Sequence, residues 1–365
     1  MKNPAHISII MPTLNQGTFI RQAIDSVLTQ TYPDKSLTVY DGGSTDETLD
    51  ILKSYGDRIR FVSGQDEGQS DAINRGIANA RGPVVCWLNS DDAFEDDALT
   101  RVMKVFNKKP DVDFIYGRGC NMSQDGQRMD EAWVREWNLW RLIHHKNFIQ
   151  QPSCFFRKAM FEEVGGLDLS LHYVMDWDLW IRFGAYKHAW LDTSLSLNRV
   201  YAANKTASGG WKRWREIRRM VRRYTPARFP PVLYVYLFEI IFQRTHLAPL
   251  KKWAMKKFVT LMHTPCSGVL EDGRLLSRFH LSAGNSGGKQ ALRVELESLQ
   301  SDHLPLTIHW KNTLGQKGAF NLTGVQQVDL PLAPCQKDNF VHYTCRAVGA
   351  KSSSCTAQLH KLETW

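Results

Sequence analysis

The chain has no CxxC pair among its seven cysteines, no apolar run long enough to cross a bilayer, and no internal repeat. The spacing of Cys86, Cys120, Cys154, Cys266, Cys335, Cys345 and Cys355 argues against a zinc site. Residues 1–6 lack the apolar core of a secretory peptide. An odd cysteine count in such a chain favours reduced thiols and a cytoplasmic location. Residues 229–242 are strongly apolar but include Glu239, and they fall short of the roughly 20 residues a spanning helix needs. The stretch Pro12-Thr13-Leu14-Asn15-Gln16-Gly17 is not the glycine-rich, basic phosphate loop expected of a nucleotidyltransferase. Charge is uneven as well. Between 211 and 257, thirteen lysines and arginines stand against two glutamates, a local net of +11 in a chain of net +9. The basicity is one segment, so it is no nucleic-acid signature of the whole protein.

What is present suits a globular α/β protein of two or three domains, with 365 residues and 43% hydrophobic content. Residues 1–205 read as one domain, in which 6 to about 118 alternate strand and helix patterns and 119 to about 205 mix short strands and helices. Strands are expected at 6–11, 37–40, 60–62, 84–88 and 114–116. Helices are expected at 18–30, 44–55, 70–80, 96–107, 160–166 and 178–183. This order predicts a Rossmann-like parallel sheet with helices on both faces. Residues 206–262 read as a basic amphipathic and then apolar helical segment. Residues 263–365 read as a small all-β domain, with strands at 293–299, 306–310, 327–332 and 340–347.

Ligands of such sheets sit beyond the carboxyl ends of the strands. There the sequence delivers Thr13 and Asn15, Asp41, Asp66, and Asn89-Ser90-Asp91-Asp92. Two adjacent acids after an apolar strand suit a hard divalent cation shared with phosphate oxygens, although a solvated turn explains them too. Asp41-Gly42-Gly43 lets backbone approach a ribose or base, yet a plain strand-to-helix turn would read the same. Asp66, Asp71 and Asn74 crowd a helix start, where capping by Ser70 and the helix dipole would explain Asp71 but not Asp66 or Asn74. Asp176-Trp177-Asp178 places acids beside indoles. Desolvation there suits a general base and the indoles suit a sugar face, while the alternative is helix capping beside core tryptophans.

These pieces resemble one family. Ser8-Ile9-Ile10-Met11-Pro12-Thr13-Leu14-Asn15, Asp41-Gly42-Gly43-Ser44-Thr45-Asp46, Gly68-Gln69-Ser70-Asp71-Ala72-Ile73-Asn74 and Trp87-Leu88-Asn89-Ser90-Asp91-Asp92 are similar to family 2 glycosyltransferases. So are Gln151-Pro152-Ser153-Cys154-Phe155-Phe156-Arg157, Gly165-Gly166-Leu167-Asp168 and Met175-Asp176-Trp177-Asp178-Leu179-Trp180. The resemblance covers about residues 5–205. It implies a GT-A fold, a nucleotide-sugar donor, Mn or Mg, and inversion at the anomeric carbon. It further implies Asp41 at the nucleoside, Asp92 with Asp91 at the metal, and Asp176 as the base. Around the donor we expect Pro12, Thr13, Asn15, Asp41, Asp66, Asp71, Asn74, Asn89 and Asp91, and around the acceptor Gln151, Trp177 and Asp178. The chain departs from the family pattern at Gly42, where many relatives have a second acid, at Leu14, where some have an aromatic, and at Met175, often Glu.

The resulting expectation is an inverting, metal-dependent glycosyltransferase of cell-surface polysaccharide synthesis, acting on a glycan or lipid-linked glycan. The alternative is a non-catalytic carbohydrate-binding or scaffolding protein on the same fold. The basic segment would lie on an anionic membrane surface, or else pack internally as a helical hairpin. The β domain is compatible with glycan binding, an oligomer contact or simple support.

Overall fold

The computed structural model describes residues 5–132, 134–201, 204–225 and 230–242, and the strands between 274 and 364. The chain divides into two compact units. One comprises residues 1–138 and 147–209, the other residues 139–146 and 210–365.

The first unit is built on one sheet. Its strands are β1 (Ile7–Thr13), β2 (Lys35–Asp41), β3 (Arg60–Ser63), β4 (Val84–Trp87), β5 (Ala93–Phe94), β6 (Phe114–Met122), β7 (Arg128–Glu131), β8 (Cys154–Arg157) and β9 (His188–Arg199). Their order is β3-β2-β1-β4-β8-β6-β9-β5, with β7 on the edge of β6. From β3 to β4 the sheet is parallel, as the alternating pattern predicts. Beyond β4 it becomes mixed, because β8 runs antiparallel to both β4 and β6. A parallel partner needs a crossover that returns the chain to the opposite edge. Residues 147–153 instead enter β8 directly from the carboxyl edge, where Gln151 is bonded to the Trp87 carbonyl at 2.9 Å.

The helices are α1 (Gly17–Leu28), α2 (Thr48–Ser54), α3 (Gln69–Ala78), α4 (Ala98–Lys108), α5 (Leu139–His144, in the second unit), α6 (Lys158–Glu163), α7 (Met175–Arg182) and α8 (Lys205–Ser208). The period-two alternation of β1 sends Ile7, Ile9 and Met11 into one core, with Ile20, Ile24 and Val27 of α1 and Leu99, Val102 and Phe106 of α4. The intervening Ile10 faces α3, where a Cβ on Gly76 would lie 2.4 Å from its Cγ2. On that same face Trp180 of α7 stacks on Trp87 of β4 at 5.5 Å, and Phe161 of α6 stacks on Phe156 at 5.4 Å. Helix α2 starts later than expected, at Thr48. Ser44, a candidate cap, spends its hydroxyl on Asp41, so residues 44–47 remain loop. Helix α7 starts earlier than expected, which puts Asp176 in its first turn.

In the second unit, α9 (Gly210–Val221) lies against α10 (Pro231–Phe242). Ile217, Met220, Val221, Val232, Leu233, Val235 and Tyr236 are buried. Trp214 Nε1 donates to the Leu233 carbonyl at 2.8 Å, and the Arg213 guanidinium sits 4.9 Å from the Tyr236 ring centroid. The opposite side of α9 leaves Trp211, Lys212, Arg215 and Arg219 exposed, with Arg222 just beyond it. Among the described residues, no helix is long and apolar enough to cross a membrane. The expected β region holds two four-stranded antiparallel sheets. Its strands include Ala291–Ser298, Leu306–Asn312, Val325–Pro331 and Phe340–Val348. Residues 243–273, the end of the expected helical segment and the start of the expected β domain, lie outside the described residues, as do the expected strand ends Leu299 and Leu332.

The sheet admits no side chain at Gly82, where a Cβ would meet the His6 carbonyl oxygen at 2.4 Å. Gly82→Ala should therefore cost about 1–3 kcal/mol, whereas Gly64→Ala, which meets nothing within 4 Å, should be neutral. Thermal unfolding of the two variants checks this, and equal melting temperatures would contradict it.

Candidate active site

The carboxyl ends of β1, β2 and β4 carry most of the expected residues, and two loops zip together there. The Gly42 amide donates to the Thr13 carbonyl at 3.0 Å. Asn15 sits at φ 52°, a left-handed conformation that asparagine tolerates. Its amide donates to Ser44 Oγ at 2.7 Å, and its Oδ1 accepts from the Thr45 amide at 2.8 Å. Gly17 and Gln16 amides, at the start of α1, donate to Asp46 and Thr48. The neighbouring loop thus caps α1 in place of a residue of its own.

Asp41 lies inside this latch, 2% exposed. Its Oδ1 accepts from the Ser44 hydroxyl at 2.5 Å, and its Oδ2 accepts from the Ser63 hydroxyl at 2.6 Å. The Gly43 and Ser44 amides add to it. The carboxylate is thus held by its own loop and by Ser63 of β3. Asp66 approaches from the next loop, with Oδ2 3.1 Å from where a Gly42 Cβ would be. The space of a second acid after Asp41 is therefore taken by a carboxylate from another strand end. Pro12 is buried in β1. Thr13 Oγ1 is buried and meets no hydrogen-bond partner, a polar atom such as a ligand would satisfy.

The end of β4 is the electrostatic centre. Asp92 is 3% exposed, accepting from the Arg199 amide at 2.9 Å and from Asn89 Nδ2 at 3.1 Å. Burial, and then the neighbouring Asp91 charge, push its carboxyl well above the usual range. Asp91 is half-buried and raised by burial, and it accepts from the Tyr201 hydroxyl at 3.0 Å. Asp91 is thus the acid better placed to meet a ligand, while Asp92 would have to give up bonds to the frame. Among the described residues there is no group of three or more metal-ligating acids, histidines or cysteines. One or two carboxylates suit Mn or Mg only when phosphate oxygens and water complete the shell, and the residues present fit that arrangement.

Asn89 does not point outward alone. Its Oδ1 accepts from Gln69 Nε2 at 2.8 Å, and its Nδ2 donates to Gln151 Oε1 at 3.0 Å. Lys205 Nζ donates to Gln69 Oε1 at 2.6 Å. A chain of amides therefore runs from Lys205 through Gln69, Asn89 and Gln151 to the Trp87 carbonyl. Gln151, expected at the acceptor, is part of this frame. Asn74, expected at the donor, is bonded at both ends to the Leu167 backbone, at 2.9 Å each. Asp71 is held to Arg75 at 3.4 Å.

Asp176 reaches the same region on α7. The preceding Met175 accepts the Ser70 hydroxyl at 2.8 Å, beside Gln69. Trp180, one turn on and on the same helical face, stacks on Trp87 directly below the acidic turn. Asp176 is half-buried, and its charge is felt by the Cys154 thiol, which burial pushes far up. Trp177 and Asp178, expected at the acceptor, are instead interior, each 1% exposed. The Trp177 indole has no free face for a sugar, and Asp178 is paired with Arg182 at 2.9 Å. The reason is helical period: a first-turn Asp176 at the open edge turns its next two neighbours away from that edge.

Sequence reasoning missed Arg199, Tyr201 and Lys205. Arg199 ends β9, a strand with no acidic motif to mark it, and Tyr201 and Lys205 come just after. Gln69 stood inside a recognised motif, but its amide gave no sign of bridging two loops.

The Glycosyl transferase family 2 model matches residues 8–165. An uncharacterised glycosyltransferase of Rickettsia prowazekii is 30% identical over 210 residues, 55% of this chain and 65% of that protein. The chain thus spans somewhat under two thirds of that relative's length. A PGL/p-HBAD biosynthesis glycosyltransferase of Mycobacterium bovis is 35% identical over 180 residues, 48% of this chain and 68% of that protein. Among solved structures, S. aureus TarS 1–349 in complex with UDP gives a TM-score of 0.47 at 19% identity, covering 69% of this chain and 75% of that one. A mannosyltransferase of Pyrobaculum calidifontis in complex with GDP-Man and Mn2+ gives 0.46 at 17% identity, covering 71% and 74%. From the family match and these relatives, the chain belongs to glycosyl transferase family 2, with its GT-A type α/β sheet.

Proposed function

We propose that the protein is an inverting glycosyltransferase that passes a sugar from a nucleotide-sugar donor to an acceptor hydroxyl in cell-surface glycan synthesis. The observation that carries this reading is the position of Asp176. Met175 and Trp180 of its helix touch Ser70 in the first turn of α3 and Trp87 of β4, the strand that leads into the acids. The Thr13–Asn15 and Asp41–Ser44 latch provides the nucleoside side. Asp91, backed by Asp92, and Tyr201 provide the diphosphate side. A divalent cation held by Asp91 with donor phosphates would supply charge neutralisation of the leaving diphosphate.

Asp176 accepts the proton of the acceptor hydroxyl as that oxygen bonds to the anomeric carbon. The bond to the diphosphate oxygen breaks on the opposite face, which inverts the configuration. Asp176→Asn should abolish turnover and leave donor affinity within about threefold, since the amide is isosteric but accepts no proton. Full turnover in that variant would refute the base. Asp91→Asn should remove the extra thermal stabilisation that Mn gives in the presence of a nucleotide sugar. A panel of UDP-, GDP- and dTDP-sugars, scored by metal-dependent thermal shift and donor hydrolysis, identifies the donor. An unchanged Mn response in Asp91→Asn would remove it from the metal site.

The second unit refines the membrane reading. Its apolar residues are largely spent between α9 and α10, so the hairpin accounts for the apolar half of the segment. The exposed Lys212, Arg215, Arg219, Arg222 and Trp211 are left to meet anionic headgroups, which would suit a lipid-linked acceptor. The full chain should float with vesicles containing anionic lipid at low salt. A Lys212→Glu, Arg215→Glu double variant should not. Absence of flotation by the parent chain would remove the membrane from its partners.

A further inference from the structure

We propose that Asn147 is a positioning residue that holds Asp176 at a set distance from the acidic end of β4, through the short strap 147–151. The inference rests on Asp176 being the base. Asn147 Nδ2 donates to Asp176 Oδ2 at 3.4 Å, while its own Oδ1 accepts from the Ile149 amide at 3.0 Å. A backbone N–H can only donate, so the second bond fixes which way the Asn147 amide faces. The end toward Asp176 must be the donor.

The strap is rigid because its middle is buried. Phe148 is 1% exposed and Ile149 4%. The Phe148 ring lies 6.5 Å from Tyr116 and 6.3 Å from Trp137, centroid to centroid. Four residues after Asn147, Gln151 grips Asn89 and the Trp87 carbonyl. One segment therefore carries an amide to the base at one end and an amide to the donor side at the other.

Two other groups bear on Asp176 or share its helix. Cys154 below it is a buried thiol whose pKa is pushed far up, so it stays neutral. Asp178 and Arg182, on the same helix, are paired with each other at 2.9 Å. An amide donor to a carboxylate oxygen favours the ionised form, the form that takes a proton from an acceptor hydroxyl.

Asn147→Asp gives the discriminating test. Aspartate keeps an acceptor for the Ile149 amide, so a purely structural role is preserved. It turns the contact with Asp176 from donation into like-charge repulsion. The expected result is a fall in kcat of about 10–100-fold, with donor KM within about twofold and the melting temperature little changed. Asn147→Ala should lose kcat by less and lose some stability, because the Ile149 amide is then unmet. Asp176→Asn is measured beside them. If it is inactive while Asn147→Asp retains parental kcat, the positioning role is overturned and the base stands. If Asp176→Asn is itself fully active, the base reading falls and the positioning role with it. A loss of kcat in Asn147→Asp accompanied by an equal loss of thermal stability and donor binding also overturns it.

Discussion

A buried arginine underlies the acidic end of β4. Arg199 is 3% exposed, and its amide supplies one of the bonds that let the Asp92 carboxylate lie inside the protein. Its guanidinium donates to the carbonyls of Asp91, Ser123 and Gln124 and to Gln22 Oε1, above the Phe19 ring. Burying a carboxylate is costly unless charge and hydrogen bonds offset it. Arg199 does both, and since its hydrogens are spent on the frame its charge acts on the two acids as a fixed field. Without the Arg199 side chain, Asp91 and Asp92 lose a nearby positive charge, the Asp91 carbonyl loses a donor, and the end of β9 loses its bond to Gln22 of α1.

The donor side follows a similar economy. Asp41 accepts from the hydroxyls of Ser44 and Ser63, and Asn15 is bonded to Ser44 and Thr45. These bonds hold the two loops to each other. The amide chain from Lys205 to the Trp87 carbonyl extends the same logic across the floor, joining α8, α3, β4 and the strap before β8. A site assembled from internally satisfied groups is preorganised, which favours electrostatic stabilisation over rearrangement on binding.

Much of this was legible in the sequence, for reasons that can be named. The β1–β4 half was readable because parallel strands buried on both faces give apolar runs, and because acids collect at their ends. Asp91 and Asp176 stood out as acids beside apolar or aromatic neighbours. The antiparallel β8 was not readable, since a four-residue apolar strand carries no sign of direction. Trp177 and Asp178 are expected at the acceptor because an indole face suits a sugar and acids stand beside it. A helical turn sends them into the core, where Asp178 is neutralised by Arg182. Asn147 and Arg199 belong to no charged or aromatic cluster, and their roles rest on bonds to residues 29 and 107 positions away. Only the folded chain brings those together.

The path of the chain between the two units bears on how the protein can be dissected. It leaves the first unit after residue 138, returns at 147, and leaves again after 209. The brief excursion is α5, whose His144 bonds to Thr225 Oγ1 at 3.1 Å and whose following Lys146 reaches Glu239 at 3.4 Å. A fragment ending at 209 would still carry α5 but none of these partners. Leu142 and Ile143 would then sit on a helix stripped of its anchors, six residues or fewer ahead of Phe148. A piece that keeps α5 with these partners must therefore run past Glu239 in α10.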